Sequence, residues 1–301
     1  MKIAIFYRHF PVAMGRYIHW GLEDAGHEVF SVGPYSRGKI PWAESLYYPQ
    51  YKFPPDLELP DNQILPMSHV LKGIRKQGFK PDMIIQEADL YFLEGKADIP
   101  NILLGTDPHV VNYEPHLTNV DYYFSLQKNY MGEGKNRGWM PYGYDRNIHV
   151  YQPQQTIKYN VVFCGLQYTH RKDALRAISD RGYKVFCGLG YVYDDYVSLY
   201  NQGMIAFNWS SKDDLPARFW EGLAMKRCVL TNRVPDLKEF DLEEGVDYLG
   251  FSTKGEAVEK ADFYLKRPEL LFKIADNGYK KVKPHHWTNR VKKMLQEVKI
   301  K

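Results

Sequence analysis

The 301-residue sequence is poor in cysteine. It has three, Cys164, Cys187 and Cys228, widely spaced and with no C-x-x-C. An odd, scattered set beside apolar runs excludes a disulfide framework and a zinc site, and points to buried thiols in the reducing cytoplasm. Long apolar runs are also missing. None approaches the roughly 18–20 residues of a membrane span, and the mean hydropathy is −0.49. The opening "MKIAIFYRHF" has only a short apolar run that leads into Arg8 and His9, so it reads as a buried first strand and not a leader. No G-x-x-x-x-G-K-[ST] occurs, which excludes a P-loop. "CGLGYV" (187–192) lacks the third glycine of a dinucleotide fingerprint. Charge of one sign is not in excess overall, at +4, but it is uneven. Residues 1–150 hold 15 Lys and Arg against 17 Asp and Glu; residues 273–301 hold 9 against 2. That basic end is either a solvated helix face or an attractor of an anionic partner.

What is present is strand–helix alternation, twice over. At 301 residues the chain suits two domains of about 150. The first half offers strands at 2–7, 28–33, 81–87, 101–106, 121–126 and 138–143, with helices at 15–27 and 67–79. The Pro- and Tyr-rich stretch 34–66 reads as loop, with a short helix at "AESLYY" (43–48). The polar, aperiodic "YDRNIHVYQPQQTIK" (144–158) reads as a linker. Alternation restarts at Tyr159, with strands at 159–165, 183–190, 204–210, 228–232 and 246–252 and helices between and after them. Thr288 is placed to cap a last helix with Val291, Met294, Leu295 and Val298 on one stripe. Apolar strands separated by helices imply parallel sheets covered on both faces. The expected fold is therefore α/β, with two Rossmann-like doubly wound domains facing across a cleft: 1–150, 151–287, and a terminal helix over 288–301 that returns to the first domain. Ligands of such sheets bind beyond the carboxyl ends of the strands.

The residues at those ends suggest an anion and a diol. Arg171 and Lys172 open the helix after "VVFCG", and Arg218 opens the helix "ARFWEGLA" after "FNWSS". Free N–H groups and the dipole of a helix start favour an anion, and two cationic starts suit a diphosphate. Solvated surface cations are the alternative. Glu221 lies one turn after Arg218 on the same face. A carboxylate there accepts from paired hydroxyls such as those of a ribose; an exposed Arg218–Glu221 ion pair is the alternative. Asp213 precedes Glu221 by eight positions.

At this point the second half resembles the carboxy-terminal domain of GT-B glycosyltransferases of the broad group 1 set, in the branch of the spore-maturation glycosyltransferase-like proteins. The matching pieces run in order: "MPYGYD" (140–145), "YNVVFCGLQYTHRKDAL" (159–175), "ARFWEGLA" (217–224), "CVLTN" (228–232), "EEGVDYLGFST" (243–253) and "IADNGYKKVKPHHWTNR" (274–290). The resemblance covers about 138–290. It implies a cytoplasmic hexosyl- or pentosyltransferase that takes a sugar from a nucleoside-diphosphate sugar. Glu221 would hold the donor ribose, Arg218 with Arg171 the diphosphate, and Asp213 would lie near the sugar. The sequence departs from the family pattern at Lys226, where relatives usually have glycine, which puts the shape of the turn before "CVLTN" in question, and at Asp213, where many have Glu. Without an Asp-x-Asp, no metal and no cofactor beyond the donor is expected, since cations and helix starts can stabilise a leaving diphosphate.

The first domain would carry the acceptor. Gly15 ends the loop "RHFPVAMG" and lets backbone approach the donor. Glu87, Asp107 and His109 end strands and are candidates for the base at an acceptor hydroxyl. The acceptor stays open: a glycan, a lipid-linked or small molecule, or DNA with a hydroxylated base, which the basic end and 15% aromatic content would suit. Two other classes stay open too, a non-catalytic nucleotide-sugar-binding module and a sugar-nucleotide epimerase.

Overall fold

The computed structural model describes residues 1–61, 64–88 and 92–298. The chain forms two compact units. One joins Met1–Pro141 to Trp287–Lys301, and the other is Tyr142–His286. The division falls ahead of position 150, and the whole of 144–158, expected as a linker, belongs to the second unit. There the Asp145 carboxylate accepts from the main-chain N–H groups of Asn147 (2.8 Å) and Ile148 (3.2 Å), and Asn201 accepts from the N–H of Gln152 (2.8 Å).

The first unit has a seven-stranded parallel sheet. Its strands are β1 (Lys2–Phe6), β2 (Glu28–Gly33), β3 (Leu57–Glu58), β4 (Met83–Ala88), β5 (Asn101–Gly105), β6 (Tyr122–Ser125) and β7 (Arg137–Trp139), ordered β7-β6-β5-β4-β1-β2-β3. Helix α1 (Met14–Asp24) follows β1, and α2 (Met67–Lys76) precedes β4. Alternation along β1 sends Ala4 and Phe6 to the face covered by Met67, Val70, Leu71 and Ile74 of α2. Tyr7 projects to the other side, against Gly15 of α1. Order reverses at β1, which has β2 on one side and β4 on the other.

Two expectations fail in the stretch 34–66. "AESLYY" is not helical: Ala43–Tyr47 pairs antiparallel with Lys39–Ile40. Left-handed Arg37 and Gly38 (φ 54 and 90) turn the chain into this hairpin, which buries Ile40. Leu57–Glu58 then adds an edge strand, with Asp56 accepting from the N–H and hydroxyl of Ser31 (2.7 and 2.8 Å). Local period-2 pairing overrides the helix propensity of Ala, Glu and Leu.

The second unit carries β8 (Tyr159–Cys164), β9 (Val185–Gly188), β10 (Gly203–Asn208), β11 (Cys228–Asn232) and β12 (Leu249–Phe251), all parallel and ordered β9-β8-β10-β11-β12. Helices α3 (Thr169–Ser179), α4 (Tyr193–Asn201) and α5 (Ala217–Ala224) connect them; α6 (Lys254–Leu265) and α7 (Pro268–Lys281) follow. Val161, Phe163, Ile205, Phe207 and Leu230 form a core with Ala174, Leu175 and Ile178 of α3 and Ala257 and Ala261 of α6. Helix α5 covers the opposite face. Gly222 makes that approach possible, because a Cβ there would lie 2.9 Å from Val229 Cγ2 and 3.0 Å from Ala206 Cβ.

Helix α8 (Trp287–Glu297) packs in the first unit against α1. Thr288 does not cap it. The helix begins a residue earlier, and the Thr288 hydroxyl donates to Asp24 (3.2 Å). Positions 299–301 of the expected terminal helix lie outside the described residues. Among those described, no helix is long and apolar enough to cross a membrane.

The close seat of α5 gives a test of the packing. Gly222→Val should cost about 1–3 kcal/mol through overpacking against Val229 and Ala206, read as a lower urea midpoint at unchanged slope. A midpoint equal to that of the parent would mean that α5 is not held at this distance.

Candidate functional site

In the second sheet, strand order reverses between β8 and β10, with β9 beyond β8 on one side. Open parallel sheets take ligands at such a point. The chain leaves β8 through Gly165, whose φ of 153 favours glycine. A Cβ there would lie 2.5 Å from a terminal guanidinium nitrogen of Arg218. Arg218 stands in the first turn of α5. Its Nε donates to Cys164 O (3.0 Å) and its Nη1 to Asn208 Oδ1 (3.0 Å). Asn208 is fixed in turn by donating to Thr231 Oγ1 (2.9 Å). Arg171, 7% exposed, donates to the carbonyls of Trp209 (2.7 Å) and Leu166 (2.8 Å), so it fastens the loop after β8 to the loop after β10.

The two guanidinium groups share one aromatic ring. Arg218 lies 4.9 Å and Arg171 5.5 Å from the centroid of Phe163. Burial, and then the charge of Arg218, pull the pKa of Arg171 down to about 10. Helices α3 and α5 both start without a side-chain cap or an acidic residue in the first turn. Lys172 is exposed on α3. The arrangement is a cationic strand end that gains from an anion.

Glu221, one turn further along α5, is not a solvated surface carboxylate. Its side chain is 12% exposed. The Tyr196 hydroxyl on α4 donates to Oε2 (2.7 Å), and His149 Nε2 lies 3.5 Å from Oε1. The Asp145 N–H donates to His149 Nδ1 (3.0 Å), which assigns the proton to Nε2, the nitrogen that faces Glu221. Arg218 and Glu221 thus have separate partners, unlike a simple exposed ion pair. Asp213 is exposed, with left-handed backbone at φ 55. Its neighbour Asp214 is the carboxylate that accepts the Ser210 hydroxyl.

The other expected residues lie in the first unit. Gly15 has a packing reason of its own, since a Cβ would fall 2.4 Å from Tyr7 Cβ. The loop after β1 is committed internally. Arg16 donates to His9 Nδ1 (3.1 Å) and Phe53 O (2.8 Å), and Tyr7 OH pairs with His19 Nδ1 (3.1 Å). Glu87, 6% exposed, accepts from Thr106 Oγ1 (3.0 Å). Asp107 is exposed, and its N–H faces Tyr113 OH (3.4 Å). Gln127 Nε2 lies 3.0 Å from His109 Nδ1. With Gln127 donating, His109 carries its proton on Nε2. To act as a base at Nε2 it must give Nδ1–H to the Gln127 oxygen, with the amide turned over. Glu87, Thr106, Asp107, His109 and Gln127 all come from the carboxyl ends of β4, β5 and β6 or the loops just beyond them.

Residues 158–296 match the family model described as glycosyl transferase-like. The match takes in the second unit from residue 158 on and continues into α8 of the first. Solved structures agree over the full length at low identity, and so speak for the fold. HepE of Anabaena in complex with UDP-glucose aligns over 99% of this chain and 100% of its own, with TM-score 0.67 and 12% identity. Sucrose-phosphate synthase of Thermosynechococcus elongatus aligns over 98% and 97%, at 0.67 and 13%. An α-glucosyltransferase in complex with UDP and a 13-mer DNA containing an HMU base aligns over 99% of both chains, at 0.65 and 11%. The fold is GT-B. No curated protein matches the sequence. The glycosyl transferase-like match takes in Arg171, Lys172, Asp213, Arg218 and Glu221. It leaves out His149 and the first-unit residues Gly15, Glu87, Asp107 and His109.

The sequence reading missed His149, Tyr196 and Asn208. Only the ordered "MPYGYD" hinted that the stretch from Asp145 had a fixed shape. Lys226, by contrast, is informative. Its φ is 57, so the turn between α5 and β11 keeps the left-handed backbone that glycine takes easily. Lysine is tolerated there beside Asp276 (3.0 Å) and the rings of Tyr151 and Tyr279 (5.2 and 5.8 Å). Lys226→Ile should therefore be about 1–2 kcal/mol less stable than Lys226→Gly, measured by urea unfolding. Equal midpoints would argue against a left-handed residue.

A second measurement concerns the loop after β1. Burial, and then the charge of Arg16, depress the pKa of His9 to about 3 and that of His19 to about 4. Both stay neutral in the folded chain while the unfolded chain takes up protons below about 6.5. Stability should be whole above that pH. It should fall by about 1.4 kcal/mol per pH unit for each imidazole as pH drops from 6.5 towards 4. Urea midpoints at pH 7.5 and 5.5 check this, and His9→Gln should flatten the dependence.

Proposed function

We propose that the chain transfers a sugar from a nucleoside-diphosphate sugar to an acceptor hydroxyl, with the donor held by residues of the second unit. The observation that carries the reading is Glu221. It is a mostly buried carboxylate, held by Tyr196 and faced by His149, one turn from a partly buried arginine at the strand reversal. Such a carboxylate suits a ribose. Arg218, with Arg171 and Lys172, suits the diphosphate, and an anion beside the two guanidinium groups relieves their mutual repulsion. The same cations and the starts of α3 and α5 stabilise negative charge as the diphosphate leaves, so the reaction needs no metal. Asp213 fits a place near the sugar. In the first unit Asp107 is the better candidate for the acceptor base, because Glu87 is buried and already accepts from Thr106. Three free thiols fit the cytoplasm as the working compartment.

A thermal-shift panel of UDP, GDP, ADP and CDP tests the donor reading. A ligand at about 100 times its dissociation constant adds about 2.7 kcal/mol, so the preferred base stands out; no shift with any of them sinks the reading. Glu221→Gln should weaken the preferred diphosphate on the order of ten- to a hundredfold, since hydrogen bonds to a charged group contribute about 1.5–3 kcal/mol. Arg218→Ala should act in the same direction. Undiminished affinity in Glu221→Gln would return Glu221 to a structural role. Transfer should survive EDTA; complete loss restored by a divalent cation would overturn the metal-free chemistry. Steep loss of acceptor binding with salt would favour DNA over a neutral glycan, and product formed without any acceptor would favour an epimerase.

A further inference from the structure

We infer that Tyr196 and His149 are positioning residues, which set the Glu221 carboxylate in advance for the ribose of the donor. The inference rests on the donor reading above and goes beyond it by assigning two residues to that recognition, one of them outside the matched 158–296.

The geometry is a carboxylate held at one oxygen and faced at the other. Tyr196 donates to Oε2 at 2.7 Å, and His149 Nε2 faces Oε1 at 3.5 Å. An ionised carboxylate has about four acceptor directions, two per oxygen. With Tyr196 donating to Oε2 and His149 Nε2 turned towards Oε1, a direction on each oxygen is left, which matches two neighbouring hydroxyls on one ring. A free glutamate would have to give up rotamer freedom on binding. Here that cost falls on folding instead, which favours affinity.

Each donor is itself held from behind. The main-chain N–H of Asp145 closes His149 Nδ1 (3.0 Å), and the Asp145 carboxylate shapes the loop by accepting from Asn147 and Ile148. The Tyr196 ring packs on that of Tyr200, with centroids 4.5 Å apart, and the Tyr200 hydroxyl accepts from the N–H of Cys164 (3.2 Å). Burial, and then the charge of Glu221, push the pKa of the Tyr196 phenol well up, so it remains a donor at any working pH. The carbonyl of the same Cys164 receives Arg218 Nε (3.0 Å). The end of β8 therefore ties the ribose-facing and phosphate-facing side chains to one residue.

The test compares the best-binding member of the UDP, GDP, ADP and CDP panel with its 2′-deoxy counterpart, by calorimetry on the full chain. Tyr196→Phe keeps the ring and removes the donor. It should weaken the ribonucleoside diphosphate about five- to tenfold and change the 2′-deoxy form less than about twofold. In a Glu221→Gln background, Tyr196→Phe should add no further loss. His149→Gln, which keeps a donor near the same place, should retain more ribose preference than His149→Ala, with thermal melts confirming that each variant folds. Equal weakening of both nucleotides would make Tyr196 a packing residue and overturn the inference alone. So would an unchanged ribose preference in Tyr196→Phe. A parent protein that binds no nucleoside diphosphate overturns the donor reading and this inference with it.

Discussion

A carboxylate kept mostly out of water loses its hydrogen bonds to solvent and must be given donors by the protein. In the second unit that requirement falls on Glu221. Much of the surrounding structure supplies it. Helix α4 brings Tyr196, the ordered loop 145–149 brings His149, and α5 brings Glu221 itself close to the sheet because Gly222 has no side chain where it meets Val229 and Ala206. The same close seat places Arg218 where it reaches Cys164 O and Asn208. A one-turn separation on α5 thus sets a cation and an anion side by side, with each satisfied by a different partner. That arrangement suits the proposed donor, with phosphate at one end and hydroxyls at the other.

The strand reversal explains why these groups gather there. With β9 and β10 on opposite sides of β8, the connections leaving β8 and β10 diverge to opposite faces of the sheet and leave room between their starts. Arg171 spans the two loops by binding one carbonyl from each. The first sheet repeats the reversal at β1, but its loop is filled by its own side chains. Tyr7, His9, Arg16 and His19 form a buried cluster in which Arg16 also lies over the rings of Tyr7, Trp20 and Phe53. The two halves share a topology and differ in what they leave unfilled.

The sequence made the main strands and helices legible because buried parallel strands are continuous apolar runs and their helices keep a 3.6 period. It made Arg218 and Glu221 legible because both lie on one short helix next to a strand end. It hid what depends on distance along the chain. His149 lies 72 positions before Glu221, in a stretch with no period, held by a side-chain turn at Asp145 that no hydrophobic pattern announces. Tyr196 looked like one more aromatic on an amphipathic helix. The hairpin at 39–47 was misread as helix for a related reason: its pairing partner, and not its own propensity, decides its state.

Lys226 shows how a residue other than glycine can hold a left-handed turn. The turn out of α5 requires a residue at positive φ, because the chain must stop the helix and enter β11 within a few residues. Glycine meets that need without strain. Lysine meets it at a cost and offsets part of the cost through Asp276 and two tyrosines. Arg227 secures the same turn from inside, donating to the carbonyls of Met225 (2.9 Å) and Gly203 (2.8 Å). The turn is therefore specified by the contacts around it as well as by the residue in it. This is why α5 can keep its place against the sheet, with Arg218 and Glu221 at the strand end, although lysine and not glycine stands in the turn.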